Sequence, residues 1–240
     1  MTEIAAPTAV RRNVAFAEAI YRGCHTIERV KSRRVSTVDE AKRLWQSDII
    51  PIFVDPGATI RREVKPDVIV DAIMAKKRGN TTISDAPLVV GIGPGFIAGE
   101  NAHAVVESNR GYHLGQVIWH GAAEPDTGVP APVAGYTESR VLRAPRTGVF
   151  KAIRNIGEIA QKGEIVAEVD SVSVAAEISG VIRGMLHDSV KVEAGSKIGD
   201  IDPRGEREYC YSISDKARAI GGGVVEAILH SCQRFKHPAT

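Results

Sequence analysis

One short stretch collects the side-chain types that acid–base and anion-binding chemistry need. His103 and Glu107 lie four residues apart in AHAVVES, and on an extended strand an even spacing puts both on one face. A histidine beside a carboxylate can move a proton near neutral pH. Arg110 and His113 come at the next turn, and an arginine fork matches a carboxylate or a phosphate. The same four residues also fit a cross-strand polar cluster at a sheet edge that does no chemistry.

Just upstream, Gly93-Pro94-Gly95-Phe96-Ile97-Ala98 formally matches the dinucleotide pattern G-x-G-x-x-[GA]. That loop needs a strand before it and a helix after it. An apolar strand precedes it, but residues 102–120 downstream read as a hairpin, and Pro94 lacks an N–H for a phosphate cradle. The expectation is a glycine-rich corner at the rim of a pocket. Asp55 and Asp71 each end a buried apolar run. Lys76 and Lys77 come after Asp71, with Thr81 and Thr82 beyond. Ligands of open α/β sheets bind outside the carboxyl ends of the strands. Asp55, Asp71, Lys76, Lys77, Gly93 and Gly95 are therefore expected on one rim, where lysines, hydroxyls and free N–H groups suit an anion. The alternative is turn-capping aspartates and solvated lysines.

The elements that would position these groups alternate between strand-like and helix-like. Residues 1–4 read as a strand end. Pro7 precedes a helical spacing of Val10, Val14, Ala17 and Tyr21. Residues 25–35 read as extended. Thr37-Val-Asp-Glu40 is a capping box for a helix over 37–47. Residues 49–55, 68–71 and 88–91 read as buried strands and 58–64 as a short helix. This alternation predicts a mostly parallel α/β sheet. Residues 102–108 and 114–120, joined by Asn109-Arg110-Gly111, form the hairpin pattern, and 121–140 a connector. The expected organisation is an α/β domain over 1–120, a linker over 121–140, a β domain over 141–203, and a C-terminal strand and helix over 204–240. Ser214 or Asp215 caps that helix, which should reach about residue 229. Gly221, Gly222 and Gly223 sit inside it at about 1 kcal/mol each against alanine, which a close approach to another element would explain.

The β domain carries an internal repeat. APRTGVFKAIRNIGEIAQKGEIVAEV (144–169) aligns without gaps to AEISGVIRGMLHDSVKVEAGSKIGDI (176–201). Gly148 matches Gly180, Lys151 matches Arg183 and Gly163 matches Gly195. Neither half can bury its apolar face alone, so the two should pack as one pseudo-symmetric unit. The pattern resembles the biotinyl/lipoyl-type barrel-sandwich hybrid. Carriers of that type present a lysine on the central hairpin. Here no lysine occurs between Lys162 and Lys191, so the module reads as a docking or packing element.

The bulk properties set outer limits. The chain has 240 residues, 43% hydrophobic and 25% charged, with a net charge of +2. That charge gives no reason to expect a nucleic-acid partner. Cys24, Cys210 and Cys232 are scattered, with no CxxC or Cys/His cluster, so no metal site is expected. There is no apolar signal core or membrane-length run, and the expected location is the cytoplasm.

Several blocks together carry a family resemblance: TEIAAPTAVRRNVAFAEAIY, PDVIVDAIMAKK, APLVVGIGPGFIAGENAHAVVESNRGYHLGQVI, the repeat, and DPRGEREYCYSISDKARAIGGGVVEAIL. Over nearly the whole chain it resembles the selenium-dependent molybdenum hydroxylase accessory family, often labelled YqeB. The resemblance implies a cytoplasmic factor in the maturation of xanthine-dehydrogenase-like enzymes. Its ligand would be molybdopterin-type or nucleotide-like, its partner the hydroxylase or its maturation proteins, and homo-oligomers are allowed. Similar sequences open with a glycine-rich turn before the Met-Thr-Glu segment. Here that segment is Met1-Thr2-Glu3, which makes the expected sheet a truncated Rossmann-like one and removes support for NAD-type binding. The alternatives are a nucleotide-dependent enzyme using His103 and Glu107, and a ligand-free scaffold.

Overall fold

The computed structural model describes residues 1–74 and 79–236, with side chains to residue 232. The chain divides into two compact units, Met1–Ala58 with Val129–Ile213, and Thr59–Gly128 with Ser214–Thr240. Among the described residues no helix is long and apolar enough to cross a membrane, and no group of His, Cys, Asp and Glu is arranged to hold a metal.

The first unit opens with β1 (Thr2–Glu3), β2 (Cys24–Ile27), β3 (Val30–Val35) and β4 (Ile49–Val54), in the order β1-β4-β3-β2. β1, β4 and β3 run parallel, and β2 folds back antiparallel on β3. Helix α1 (Glu18–Arg22) packs Ala19 and Ile20 on Ile52. Helix α2 (Val38–Trp45) starts where expected, because the Thr37 hydroxyl accepts from the Glu40 N–H while Glu40 reaches back to the Thr37 N–H. No helix follows Pro7 directly; a single 3-10 turn (Arg12–Val14) precedes α1. Tertiary contacts outweigh the local spacing there. The Val10 carbonyl accepts from the Met185 N–H at 2.7 Å, and the Arg12 guanidinium donates to the Met185 carbonyl at 2.9 Å.

The second unit holds a short helix α3 (Arg61–Val64) and then β5 (Val68–Asp71), β6 (Leu88–Ile92), β7 (Ile97–Ala98), β8 (Ala104–Val106), β9 (Val117–Ile118) and β10 (Gly121–Ala122). β5, β6 and β8 are parallel and β9 antiparallel, in the order β5-β6-β8-β9. The single sheet expected over 1–95 is therefore two sheets. Buried apolar runs identify strands but carry no information on which neighbour each pairs with.

Residues 141–202 form β11 (Val141–Arg143), β12 (Gly148–Ala152), β13 (Ile159–Ala160), β14 (Ile165–Val169), β15 (Val172–Ala175), β16 (Gly180–Met185), β17 (Lys191–Val192) and β18 (Lys197–Asp202). They make two antiparallel sheets, β11-β18-β16-β13 and β15-β14-β12-β17. One core holds side chains from both, including Phe150, Val166, Ile182, Met185, Ile198 and Ile201. The repeat is visible in the pairing. Gly148 pairs with Val192 and Gly180 with Ala160; Phe150 pairs with Val169 and Ile182 with Ile201. The turns match as well. Gly163 donates to the Ala176 carbonyl and Gly195 to the Ala144 carbonyl. Lys162 N–H bonds the Ser179 hydroxyl, and Ala194 N–H bonds that of Thr147.

Helix α4 (Asp215–Lys236) returns to the second unit, where the Ser214 hydroxyl accepts from the Ala217 N–H. It runs past the expected end near residue 229. Ile220, Val224, Ala227 and Ile228 pack on one face of the sheet, against Leu88, Val90 and Val106. Phe96, Ala98, Ala102 and Ala123 cover the other face through Val89 and Val105. One of the three helix glycines has a packing reason: a Cβ at Gly223 would run into the Gly115 carbonyl, whereas Gly221 and Gly222 face open space. The α/β part and the β module thus do not succeed each other as linear domains. The first unit contains residues 1–58 with the β module, and 59–128 close on α4.

Candidate functional site

The glycine-rich corner is built to turn the chain tightly. Gly93 and Gly95 have φ of +73° and +102°, which side-chain-bearing residues avoid. A Cβ at Gly91 would strike the Phe96 ring, and one at Gly93 the Ser108 hydroxyl. The Asn101 amide clamps the turn, accepting from the Ile97 N–H at 2.7 Å and donating to the Gly95 carbonyl at 3.2 Å. The corner leads into β7 rather than a helix, so no helix N-terminus stands behind it to hold a phosphate.

The carboxyl ends of β5, β6 and β8 carry Asp71, Gly93 and the Glu107–Arg110 segment of the second unit. Asp71 is buried; it accepts from the Ile73 N–H at 3.1 Å and the Thr81 hydroxyl at 2.6 Å. Glu107 is also buried. One oxygen takes the Asn109 N–H and the other the Glu124 N–H, each at 2.7 Å. The Asn109 amide in turn holds the Glu124 carboxylate at 2.5 Å. Arg110 meets Asp215, at the start of α4, with two bonds of 2.7 Å. Lys216 sits beside them. Burial pushes its ammonium down and Arg110 adds to that, against Glu107 and Asp126. His113 is exposed, edge-on to the exposed ring of Tyr112.

His103 and Glu107 flank the three-residue β8 at opposite ends. His103 Nδ1 accepts the Val89 N–H at 3.0 Å, and the His103 backbone N–H donates to the Val89 carbonyl at 2.8 Å. Burial lowers the imidazole below its ordinary value, which favours the neutral ring that can accept. Both groups of the expected pair are thus committed to backbone N–H groups. Asp55 belongs to the other sheet. It comes directly after β4 in the first unit, where its N–H bonds the Glu3 carbonyl and its carbonyl accepts from Ala58. Lys76 and Lys77 lie outside the described residues. The structure therefore brings Asp71, Gly93, Gly95, Glu107 and Arg110 to one end of one sheet.

The sequence reading missed the most buried carboxylates among the described residues, Asp200 and Asp202 on β18, met by Arg140 and Arg183. A signal existed in the repeat. Lys151 and Glu168 align with Arg183 and Asp200, so a charged pair recurs at matched positions inside otherwise apolar strands.

These features define a class: a mixed α/β protein with two small, mostly parallel sheets, an antiparallel pseudo-repeat module and a C-terminal helix. No family model matches the chain. In sequence it is similar to the protein titled "Uncharacterized protein YqeB" of Escherichia coli (strain K12), with 44% identity over 229 residues, or 95% of its length. The chain spans 42% of the length of that relative. Among solved structures it overlaps the product-bound ectoine utilization protein EutE (DoeB) from Ruegeria pomeroyi, with a TM-score of 0.25 and 15% identity over 34% of this chain and 26% of that one. It also overlaps a succinylglutamatedesuccinylase/aspartoacylase from Rhodobacter sphaeroides, with a TM-score of 0.24 and 21% identity over 27% of this chain and 22% of that one. Overlaps of that size carry no argument about fold or function.

Proposed function

We propose that this protein is a cytoplasmic accessory factor in the maturation of a selenium-dependent, xanthine-dehydrogenase-like molybdenum hydroxylase, and that it binds its ligand rather than transforming it. The observation that carries the binding reading is the commitment of His103, Glu107 and Arg110 to Val89, to Asn109 and Glu124, and to Asp215. A general acid–base pair needs both groups within reach of the same reacting atoms, and here they flank a strand at opposite ends. The family blocks read from the sequence support the pathway. On this reading the parallel sheets are Rossmann-like, and a molybdopterin-type or nucleotide-like anion sits at the strand ends of the second unit. The pseudo-repeat module is then a barrel-sandwich hybrid that docks the hydroxylase or another maturation protein, since its central hairpin carries no lysine to modify.

The test is made in cells deleted for this protein. The hydroxylase is purified from them and its molybdenum and selenium are measured by mass spectrometry. The expected result is normal polypeptide abundance with selenium occupancy reduced several-fold and activity reduced in proportion. Unchanged metal, selenium and activity would overturn the proposal.

A further inference from the structure

Four cations surround Asp200. Its Oδ2 accepts from Arg140 Nη1 at 3.0 Å and Arg183 Nη2 at 2.5 Å, and Lys197 Nζ stands 3.8 Å away. Arg11 comes to the same cluster from the segment that pairs with β16; its Nη2 donates to the Tyr209 carbonyl at 2.6 Å and the Ser212 carbonyl at 3.2 Å. Asp202 is the second carboxylate. It takes Arg183 Nη1 at 3.0 Å and is already forked by Arg204 at 2.9 and 2.6 Å.

The balance of charge is uneven. Arg11, Arg140, Arg183 and Lys197 face two carboxylates, one of which Arg204 also neutralises. Burial pushes Arg11, Arg140 and Lys197 below their ordinary values. Arg183 repels all three and Asp200 attracts them; at Arg11 the repulsion is the larger, while at Arg140 and Lys197 Asp200 outweighs Arg183 and burial is the main cause. Among the described residues, the Nε atoms of Arg11, Arg140 and Arg183 are buried with no partner, and so is one acceptor, Asp200 Oδ1. Uncompensated buried charge is costly, and guanidinium N–H groups left over on three arginines of one charged cluster are donors of the type that bind oxyanions in a fork. The cluster opens to solvent past Lys197 and Arg204, whose side chains are 40% and 42% exposed.

We propose that this cluster is a binding site for a phosphate group, held by Arg11, Arg140, Arg183 and Lys197 in the first unit. A doubly charged tetrahedral oxyanion matches the surplus positive charge and offers several acceptors to the unpartnered Nε atoms. Asp200 and Asp202 keep the arginines spread in the absence of ligand, as positioning residues. The site goes beyond the accessory reading and does not depend on it. Phosphate binding can fail while hydroxylase loading is affected, and the reverse.

The test is calorimetric titration of the full chain with inorganic phosphate and, separately, with ribose 5-phosphate, against sodium chloride at matched ionic strength. Saturable one-to-one binding is expected with at least one of the two phosphates and not with chloride. Tighter binding of inorganic phosphate assigns the site to the free anion, and tighter binding of the ester assigns it to a sugar or nucleotide phosphate. Lys197→Gln removes a solvent-facing charge and should fold; its affinity is expected to fall at least tenfold. Arg11→Gln, checked for fold by circular dichroism, should do the same. Absence of saturable heat with both phosphates, or unchanged affinity in Lys197→Gln, would overturn the proposal.

Discussion

The two halves of the repeat share a backbone and differ in what surrounds it. Lys151 and Glu168 form an ion pair at 2.9 Å across β12 and β14, with side chains 66% and 27% exposed. Their counterparts Arg183 and Asp200 form one across β16 and β18, at 13% and 1%. Asp170, the match of Asp202, lies exposed on its turn and accepts the Val149 N–H. The hydrogen bond to Glu168 holds the Lys151 ammonium above its ordinary value, while burial pushes Lys197 below. A solvated pair in one copy corresponds to a buried ion pair at the centre of a larger charged network in the other. The added cover comes from Val10–Arg12 and from the 3-10 turn at Arg207–Cys210, whose Cys210 thiol donates to the Ile182 carbonyl. The strand itself adapts. The pairing of β16 with β18 shifts register between Ile182 and Gly184, whereas β12 and β14 stay in register from Phe150 to Ala152.

The largest effect separating the halves should come from removing one carboxylate in each. Asp200→Ala leaves Arg140, Arg183 and Lys197 without their shared acceptor, and breaking a buried pair in this way costs about 3–5 kcal/mol. Glu168→Ala breaks a solvated pair and should barely move the midpoint of urea unfolding. Equal losses in the two variants would mean that burial does not distinguish the copies.

Acid should reach the same difference without mutation. Burial would raise the Asp200 carboxyl, but Lys197, Arg183 and Arg140 outweigh it and hold the group below the usual carboxylate range. Asp202 is likewise lowered, with the bonds from Arg204 overcoming burial. A carboxyl that is more acidic folded than unfolded contributes stability that is complete above its unfolded value, about pH 4. That stability is lost as the pH falls through the folded value. Wild type should therefore lose stability steeply below about pH 4, and Asp200→Asn should flatten that slope. A slope unchanged in Asp200→Asn would place the acid sensitivity elsewhere.

Legibility in the sequence divides along the same line between local and non-local. The capping box at Thr37 and Glu40 marked α2 because its chemistry lies within four residues. The repeat was legible because its glycines sit at fixed offsets. The partition into two sheets was not, since nothing in a run such as Val68–Asp71 tells β6 from β4 as a neighbour. His103 and Glu107 read as a pair because period two puts them on one face. The Val89 and Glu124 backbone groups that occupy them are supplied by other segments. The phosphate cluster is the extreme case. Arg11, Arg140, Arg183 and Asp200 are scattered along the chain: the β module brings the last three together, and Arg11 joins them with the segment around Val10 that bonds to β16.

The smallest effect asks whether the backbone symmetry holds where the charge symmetry fails. Gly163 and Gly195 turn the chain at matched positions with φ of +86° and +79°, and a Cβ at either would meet nothing within 4 Å. Alanine at each site therefore carries only the strain of a left-handed conformation, about 1 kcal/mol. Gly163→Ala and Gly195→Ala should lower the unfolding midpoint by the same amount, although one turn lies in the half with the solvated pair and the other in the half with the buried one. A clearly larger loss for Gly195→Ala would show that the turn feels the cluster, through Arg143, which donates to the Gly195 carbonyl at 3.1 Å. Equal losses would confine the divergence of the two copies to side chains and their cover, and leave the hairpin geometry common to both.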